Sequence, residues 1–342
     1  MLREGIEQKA FPGASVAIAH RGRLVALKGL GRLAYDLDST QVTTRTLYDL
    51  ASLTKVMATT AMCMRLYDRD RFHLEQDVVE VLPEFAAGDP RRAQVTWRML
   101  LAHCSGLPAY VKLFETAKNR GELLAQALQV PLVAEPKARA EYSDIGFILL
   151  GVAVERIAKE TLDACCAREI FRPLGINIAF RPPTQLSRDL SAPTEIDTSF
   201  RHRIIQGEVQ DENAWVMGGV AGHAGCFGAA LAVATFGHCL LSGGPPLFQA
   251  HTVEIFTRRE LSPQGTSRAL GWDTPSPPSQ SGRYFSPRSY GHLGYTGTSL
   301  WNDPERQVSV TLLTNRTWPD RSSQTIKEIR PAFHDAVIEA LS

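Results

Sequence analysis

The strand-like runs of this 342-residue chain lie at its two ends, and the long stretch between them reads mostly as helix. "ASVAIAHRGRLVALKGLG", residues 14–31, divides into two short apolar runs joined at Arg21-Gly22, the pattern of a hairpin. "GYTGTSLWNDPERQVSVTLLTN", residues 294–315, gives a second pair, with Asn302-Asp303-Pro304 as the turn. Strands placed this way find partners most economically in one another, so the two ends of the chain should build one antiparallel sheet. An amphipathic helix before Pro12-Gly13 and another over 322–341, with Ile326, Ile329, Phe333, Val337 and Leu341 at helical spacing, would then cover a face of it.

The middle carries periodic segments near 53–68, 97–103, 119–129, 145–158 and 161–171. The glycine-rich "GGVAGHAGCF" follows and leads into an apolar helix. "DTPSPPSQSGRYFSPRS", residues 273–289, reads as a surface excursion rather than a linker, and no internal repeat is present. The expectation is an α+β fold in two parts. Residues 1–62 and 215–342 would form the antiparallel sheet with its flanking helices, and residues 63–214 a mostly helical lobe. A cleft between two such lobes is the usual place for a small-molecule site.

Several function classes drop out on charge and composition. A hydrophobic share of 44% with 21% charged residues is that of a globular protein, not a disordered one. A formal charge of +1 supplies no field toward nucleic acid or an acidic membrane surface, and neither partner is expected. No run approaches the ~20 apolar residues of a membrane span. "MLREGIEQKAFPG" has no apolar leader core, so the expected location is cytoplasmic, or periplasmic if a leader was removed. The six cysteines (Cys63, Cys104, Cys165, Cys166, Cys226, Cys239) fall largely in apolar helical stretches and suit buried thiols. "GHAGC" sets His223 near Cys226, but two ligands do not make a metal site, and no metal or cofactor is expected.

Three stretches carry usable chemistry. In "ASLTKVMATT" Ser52 and Lys55 are three residues apart at the start of an apolar run, which places hydroxyl and amine on one helix face. A serine there is most often a helix cap. It is a nucleophile only if a neighbour takes its proton, and a lysine does so only with a lowered pKa. In "EYSDIGFILLGVAVERIAKE" Tyr142 either plugs a surface gap or serves as base or proton shuttle beside a lysine cation, and Asp144 is placed to cap the helix that follows. In "GHLGYTGTSLWNDPE" His292-Leu293-Gly294 opens a strand whose glycines admit a close approach, with a backbone N–H for an oxyanion and His292 as a polar contact.

The order Ser-x-x-Lys, Tyr-Ser-Asp, His-Leu-Gly resembles that of the penicillin-recognising serine hydrolases, in the branch of class C β-lactamases, DD-carboxypeptidases and family VIII carboxylesterases. "FPGASVAIAHRGRLV", "TWRMLLAHCSGLP", "VQDENAW" and "GGVAGHAGCF" are similar to further family stretches, so the resemblance covers almost the whole chain. It implies a β-lactamase/transpeptidase-like fold, Ser52 as acyl-accepting nucleophile, Lys55 as its proton partner and Tyr142 as base or acid. The oxyanion hole would be the backbone N–H groups of Ser52 and Tyr295, with Gly294 and His292 beside them; a slip to "YTG" would move the second donor to Thr298. Two positions depart from the pattern. Asp144 stands where asparagine is usual, either favouring the Lys55 ammonium or turning away as a cap, and His292 stands where lysine is usual. The expected function is a serine hydrolase acting on small ester or amide substrates, foremost a carboxylesterase with weak β-lactamase activity. The alternatives are a β-lactamase or DD-peptidase, and a catalytically silent binder of peptides or peptidoglycan fragments. The oligomeric state is not legible.

Overall fold

Residues 1–182 and 188–341 are described by a computed structural model of the chain. Its strands in chain order are β1 (Gly13–His20), β2 (Arg23–Gly31), β3 (Tyr48–Asp49), β4 (Ile178–Phe180), β5 (Glu195–Asp197), β6 (Arg203–Ile205), β7 (Cys226–Gly228), β8 (Tyr290–Leu293), β9 (Ser299–Asp303) and β10 (Val308–Thr314). The two ends of the chain do meet. The main sheet runs β2-β1-β10-β9-β8, and β1 lies antiparallel to β10 from Ala14 opposite Thr314 to His20 opposite Val308. Arg21 and Gly22 both take positive φ (47° and 76°), the backbone that lets a two-residue turn match the twist of its strands.

Strand alternation decides what each face buries. Val308, Val310 and Leu312 of β10, with Val16 and Ile18 of β1, pack with Phe333, Val337 and Ile338 of the helix Ile326–Leu341 and Leu2 of the helix Leu2–Glu7. Leu313 and Ala17 join the larger cluster, which includes the helix Ala230–Leu241. Both faces are therefore covered, and every residue of β10 is buried.

The helical expectations hold over Lys55–Thr60, Ala61–Tyr67, Trp97–Leu101, Arg120–Gln129, Asp144–Ala158 and Leu162–Cys166. The helix Asp144–Ala158 is apolar on all sides because it is buried on all sides, ten consecutive residues from Ile145 to Val154 lying inside. The middle is less purely helical than its periodicity implied. Strands β4, β5 and β6 lie there: β5 pairs with β6, and β4 pairs with β7 in the small sheet β3-β7-β4.

Three local expectations need correction. Asn302 and Asp303 stay in strand β9, and the reversal falls on 304–307. The Asp303 carboxylate shapes it by accepting the N–H groups of Glu305 and Arg306, both at 3.0 Å. His292 and Leu293 close β8 rather than open a strand, with Gly294 just beyond it. The cap of the helix Asp144–Ala158 is Ser143, whose Oγ accepts from Gly146 N at 3.1 Å, and Asp144 is left free for another partner.

Among the described residues no helix is long and apolar enough to cross a membrane, and no group of three or more His, Cys, Asp or Glu is arranged to hold a metal ion. All six cysteines are buried and unpaired.

Candidate active site

Ser52 sits on a turn that the chain must be forced to make. Strand β3 ends at Asp49, and Ala51, a residue with a Cβ, takes φ of 46° immediately before Ser52. The buried Asp49 carboxylate holds that turn, accepting from Ala51 N at 2.8 Å and from Gln210 N at 2.7 Å. Burial pushes its pKa up to about 6 in spite of those two bonds. The helix then begins with a wide π-type turn over Lys55–Thr60.

Lys55 is fully buried, and its ammonium is enclosed by oxygen. Nζ donates to Ser52 Oγ at 2.9 Å and to the His223 carbonyl at 3.0 Å, and it pairs with Asp144 Oδ1 at 2.6 Å. Burial works against the charge, but Asp144 and then Tyr142 outweigh it and raise the pKa above the ordinary lysine value. Of the two positions the sequence allowed for Asp144, the structure has the one facing the lysine. The His223 carbonyl reaches the ammonium because two glycines touch. A Cβ on Gly222 would stand 2.0 Å from the Phe147 carbonyl oxygen and 2.9 Å from Gly151 Cα, so only bare backbone lets this loop lie against the helix.

Tyr142 donates to Ser52 Oγ at 2.8 Å, and its ring centroid is 4.9 Å from Lys55 Nζ. Burial raises the phenol pKa, Lys55 pulls it back, and Asp144 raises it further, leaving a net rise. His103 steadies this segment. Its Nδ1 accepts from Ser143 N at 3.0 Å and its ring lies 4.7 Å from the Tyr142 ring, centroid to centroid. Burial, with Arg268 and Lys55 adding, holds its imidazole neutral, well below the usual histidine range.

The end of β8 closes the other side. His292 Nδ1–H donates to the Leu293 carbonyl at 2.8 Å, and its buried Nε2 has no partner. Burial, then Lys55 and Arg268, lower its pKa to about 3, so the imidazole itself is uncharged near neutral pH. Gly294 allows the approach to Ser52's turn, since a Cβ there would meet Thr298 Oγ1 at 2.0 Å and the Leu50 carbonyl oxygen at 2.7 Å. The amide N–H groups of Ser52 and Tyr295 have no acceptor among the described residues. Thr298 is fully buried, its hydroxyl donating to the Leu50 carbonyl, whereas Gly294 and Tyr295 line the cleft.

That cleft has a volume of about 680 Å³ and is lined by Ser52, Tyr142, Asp144, His292, Gly294 and Tyr295, among others. All the residues singled out in the sequence therefore converge except Lys55, which lies beneath the lining and reaches it through Ser52. Sequence reasoning did not single out His103, Arg268 (5.5 Å from the Tyr142 ring centroid), or the pair of His223 Nε2 and Asp211 Oδ1 at 2.8 Å. Two of these had a signal. "LLAHCSGLP" contains His103, and "VQDENAW" with "GGVAGHAGCF" contains Asp211 and His223. Arg268 lies in a segment with no motif.

An antiparallel sheet with packed helices, and a cleft joining a serine hydroxyl, a lysine ammonium and a tyrosine phenol, define the class of serine β-lactamase and penicillin-binding-protein-like hydrolases. A family model described as Beta-lactamase matches residues 1–330, and the chain belongs to that family. A protein of Escherichia coli (strain K12) named "Putative D-alanyl-D-alanine carboxypeptidase" is 31% identical over 348 residues, covering 90% of this chain and 79% of the relative. The octameric penicillin-binding protein homologue from Pyrococcus abyssi has the same fold with a TM-score of 0.77 at 19% identity, covering 99% of this chain and 76% of that one. EstCE1, a hydrolase with promiscuous acyltransferase activity, aligns with a TM-score of 0.73 at 20% identity and 96% coverage of both chains.

Proposed function

We propose that this protein is a carboxylesterase that hydrolyses small esters through an acyl-enzyme on Ser52. The observation that carries the reading is the double contact on Ser52 Oγ, 2.9 Å from Lys55 Nζ and 2.8 Å from Tyr142 Oη, at the wall of the cleft. A hydroxyl flanked by two proton-carrying groups has both a place to send its proton and a source for the leaving group's. Asp144 keeps the ammonium on Lys55, so the proton that must leave to make a base comes from Tyr142, whose phenolate the Lys55 cation stabilises. Ser52 Oγ then attacks the ester carbonyl while the phenolate takes its proton. The N–H groups of Ser52 and Tyr295 hold the oxyanion, and Tyr142 returns the proton to the departing alkoxide. Water repeats the sequence to release the acid.

Esters are favoured over β-lactams and peptide C-termini by His292. Those substrates present a carboxylate close to the reacting carbonyl, and a neutral imidazole with a pKa of about 3 offers it no charge. The second reading, a DD-carboxypeptidase, is favoured by the name of the E. coli relative. A burst of nitrophenol followed by slower turnover of p-nitrophenyl acetate, lost in Ser52→Ala, supports the proposal. Full activity in Ser52→Ala refutes it, as does failure of a fluorophosphonate to label Ser52. Comparing kcat/KM for nitrocefin, a D-Ala-D-Ala peptide and short esters separates the two readings.

A further inference from the structure

Among the described residues, the cleft's other wall holds two arginines without a counter-ion. Arg330, on the helix Ile326–Leu341, is 4% exposed and lines the cleft, yet the bond it makes is from Nη1 to Gln280 Oε1 at 3.0 Å. Its Nε is buried without a partner. Arg316, 6% exposed, donates from Nε to the Tyr295 carbonyl at 2.8 Å and from Nη1 to the Ser323 carbonyl at 3.1 Å, both uncharged acceptors. Neither guanidinium has a carboxylate within salt-bridge distance among the described residues, whereas Arg321 nearby is held by Glu195 and Glu212. Arg316 and Arg330 also repel one another. Burial and then the Arg316 charge lower the Arg330 pKa to about 10. Lys327 lines the same cleft.

Buried charges are ordinarily paired, because an unpaired one loses its hydration without compensation. Here two such guanidiniums, close enough to repel, share the lining of one cleft. We propose that Arg316 and Arg330 form a subsite for a carboxylate carried by the substrate, so that the ester cleaved at Ser52 bears an acidic group remote from the scissile bond. The planar fork of a guanidinium matches the two oxygens of a carboxylate. The connection to the reacting centre is short in bonds. Arg316 holds the carbonyl of Tyr295, the residue whose N–H is assigned to the oxyanion, so an anion at the arginines lies beyond that residue rather than at His292. This inference rests on the esterase reading above and names its substrate class.

Two ester pairs test it: p-nitrophenyl butyrate against p-nitrophenyl hydrogen adipate, with the charge on the acyl side, and phenyl acetate against 3-acetoxybenzoate, with the charge on the leaving group. The wild type should prefer the charged member of one pair by about tenfold or more in kcat/KM, and that ratio should collapse toward unity in Arg330→Met and recover in part in Arg330→Lys. The ratio normalises for any general loss of activity. Disodium adipate should raise the melting temperature of the wild type and not that of Arg330→Met, a readout that needs no catalysis and no variant for its first half. Absence of preference in both pairs overturns the subsite, as does a preference that survives Arg330→Met. Stabilisation by inorganic phosphate with none by adipate overturns the carboxylate assignment. If no ester is cleaved but adipate still stabilises the wild type, the esterase reading fails and the anion site stands.

Discussion

Replacing Asp144 by asparagine removes one charge from the Ser52–Lys55–Tyr142 cluster and leaves a side chain of the same shape. Lys55 Nζ and Asp144 Oδ1 are 2.6 Å apart, the lysine fully buried and the aspartate side chain 16% exposed. At an effective dielectric of about 20, unit charges at that separation attract by about 6 kcal/mol. An asparagine carbonyl retains a hydrogen bond to the ammonium worth about 1.5–3 kcal/mol, so much of the hold on the Lys55 proton is lost. Asp144 acts in the same direction on Tyr142, so both groups release a proton more readily in the variant. The active form in the proposed mechanism is the cluster that has lost one proton. The acid limb of kcat/KM for p-nitrophenyl acetate, which reports groups of the free enzyme, therefore moves to lower pH by more than about one unit. Stability should change with the opposite sense of pH. The raised Lys55 pKa means that its ion pair stabilises the fold below lysine's ordinary pKa and is lost as pH rises through the raised value. Asp144→Asn should thus lose about 3 kcal/mol or more near neutral pH, where removing one partner strands a buried charge, and less at alkaline pH. An acid limb that stays within about 0.3 unit of the wild type, or that moves upward, would show that Asp144 does not hold the proton whose loss activates Ser52.

A methyl group at Gly294 tests the closeness of β8 to the nucleophile turn. Gly294→Ala must displace Thr298 or Leu50, and should lower kcat/KM about a hundredfold for a stability loss of only ~1–3 kcal/mol, read by urea unfolding. Asp49, with its pKa pushed up to about 6, binds its proton more tightly in the folded than in the unfolded chain, so its contribution falls as pH rises from about 4 to about 6. That loss, about 3 kcal/mol, should appear as a pH slope in the unfolding free energy of the wild type and be missing from the slope of Asp49→Asn. All six thiols are buried, and burial raises the pKa of Cys63, Cys104 and Cys226. Ellman's reagent should find almost none in the native protein within minutes and six after denaturation, with no effect of reductant on the melting temperature.

What was legible in the sequence is what local pattern encodes. Apolar runs bounded by turn residues in 14–31 and 294–315 gave the terminal sheet, because strands covered on both faces read as near-continuous apolar segments. Helical periodicity gave the buried helix Asp144–Ala158 to within a residue at its start. The triad of motifs was legible because each sits in a characteristic local context, a helix start, a loop-to-helix junction and a strand beside a glycine turn. The cap at the second motif was misread because Ser143 and Asp144 are both good capping residues. Only the position of Lys55 in space decides which of them the helix uses. The strands β3–β7 were not legible either, being two or three residues long, with β3 and β4 pairing to a β7 far from each in sequence. Arg268, Arg316 and Arg330 were invisible for a different reason. An arginine's sequence neighbours do not say whether an acid will stand opposite it, and that missing acid is what gives Arg316 and Arg330 their interest.

The two departures from the family pattern belong to one electrostatic exchange. Where the resemblance leads one to expect a cationic lysine and a neutral asparagine, this chain has a neutral His292 and an anionic partner for Lys55 in Asp144. Each change makes the space around Ser52 more negative by one charge. With an asparagine at 144 the buried ammonium would keep only neutral partners. Together the two departures leave Lys55 paired with a carboxylate and position 292 uncharged. The positive charge has not left the cleft. It stands in Arg268 over the Tyr142 ring and, uncompensated, in Arg316 and Arg330 beyond Tyr295. On the proposed esterase reading, Arg316 and Arg330 would favour an ester whose negative charge lies beyond Tyr295, away from the scissile bond.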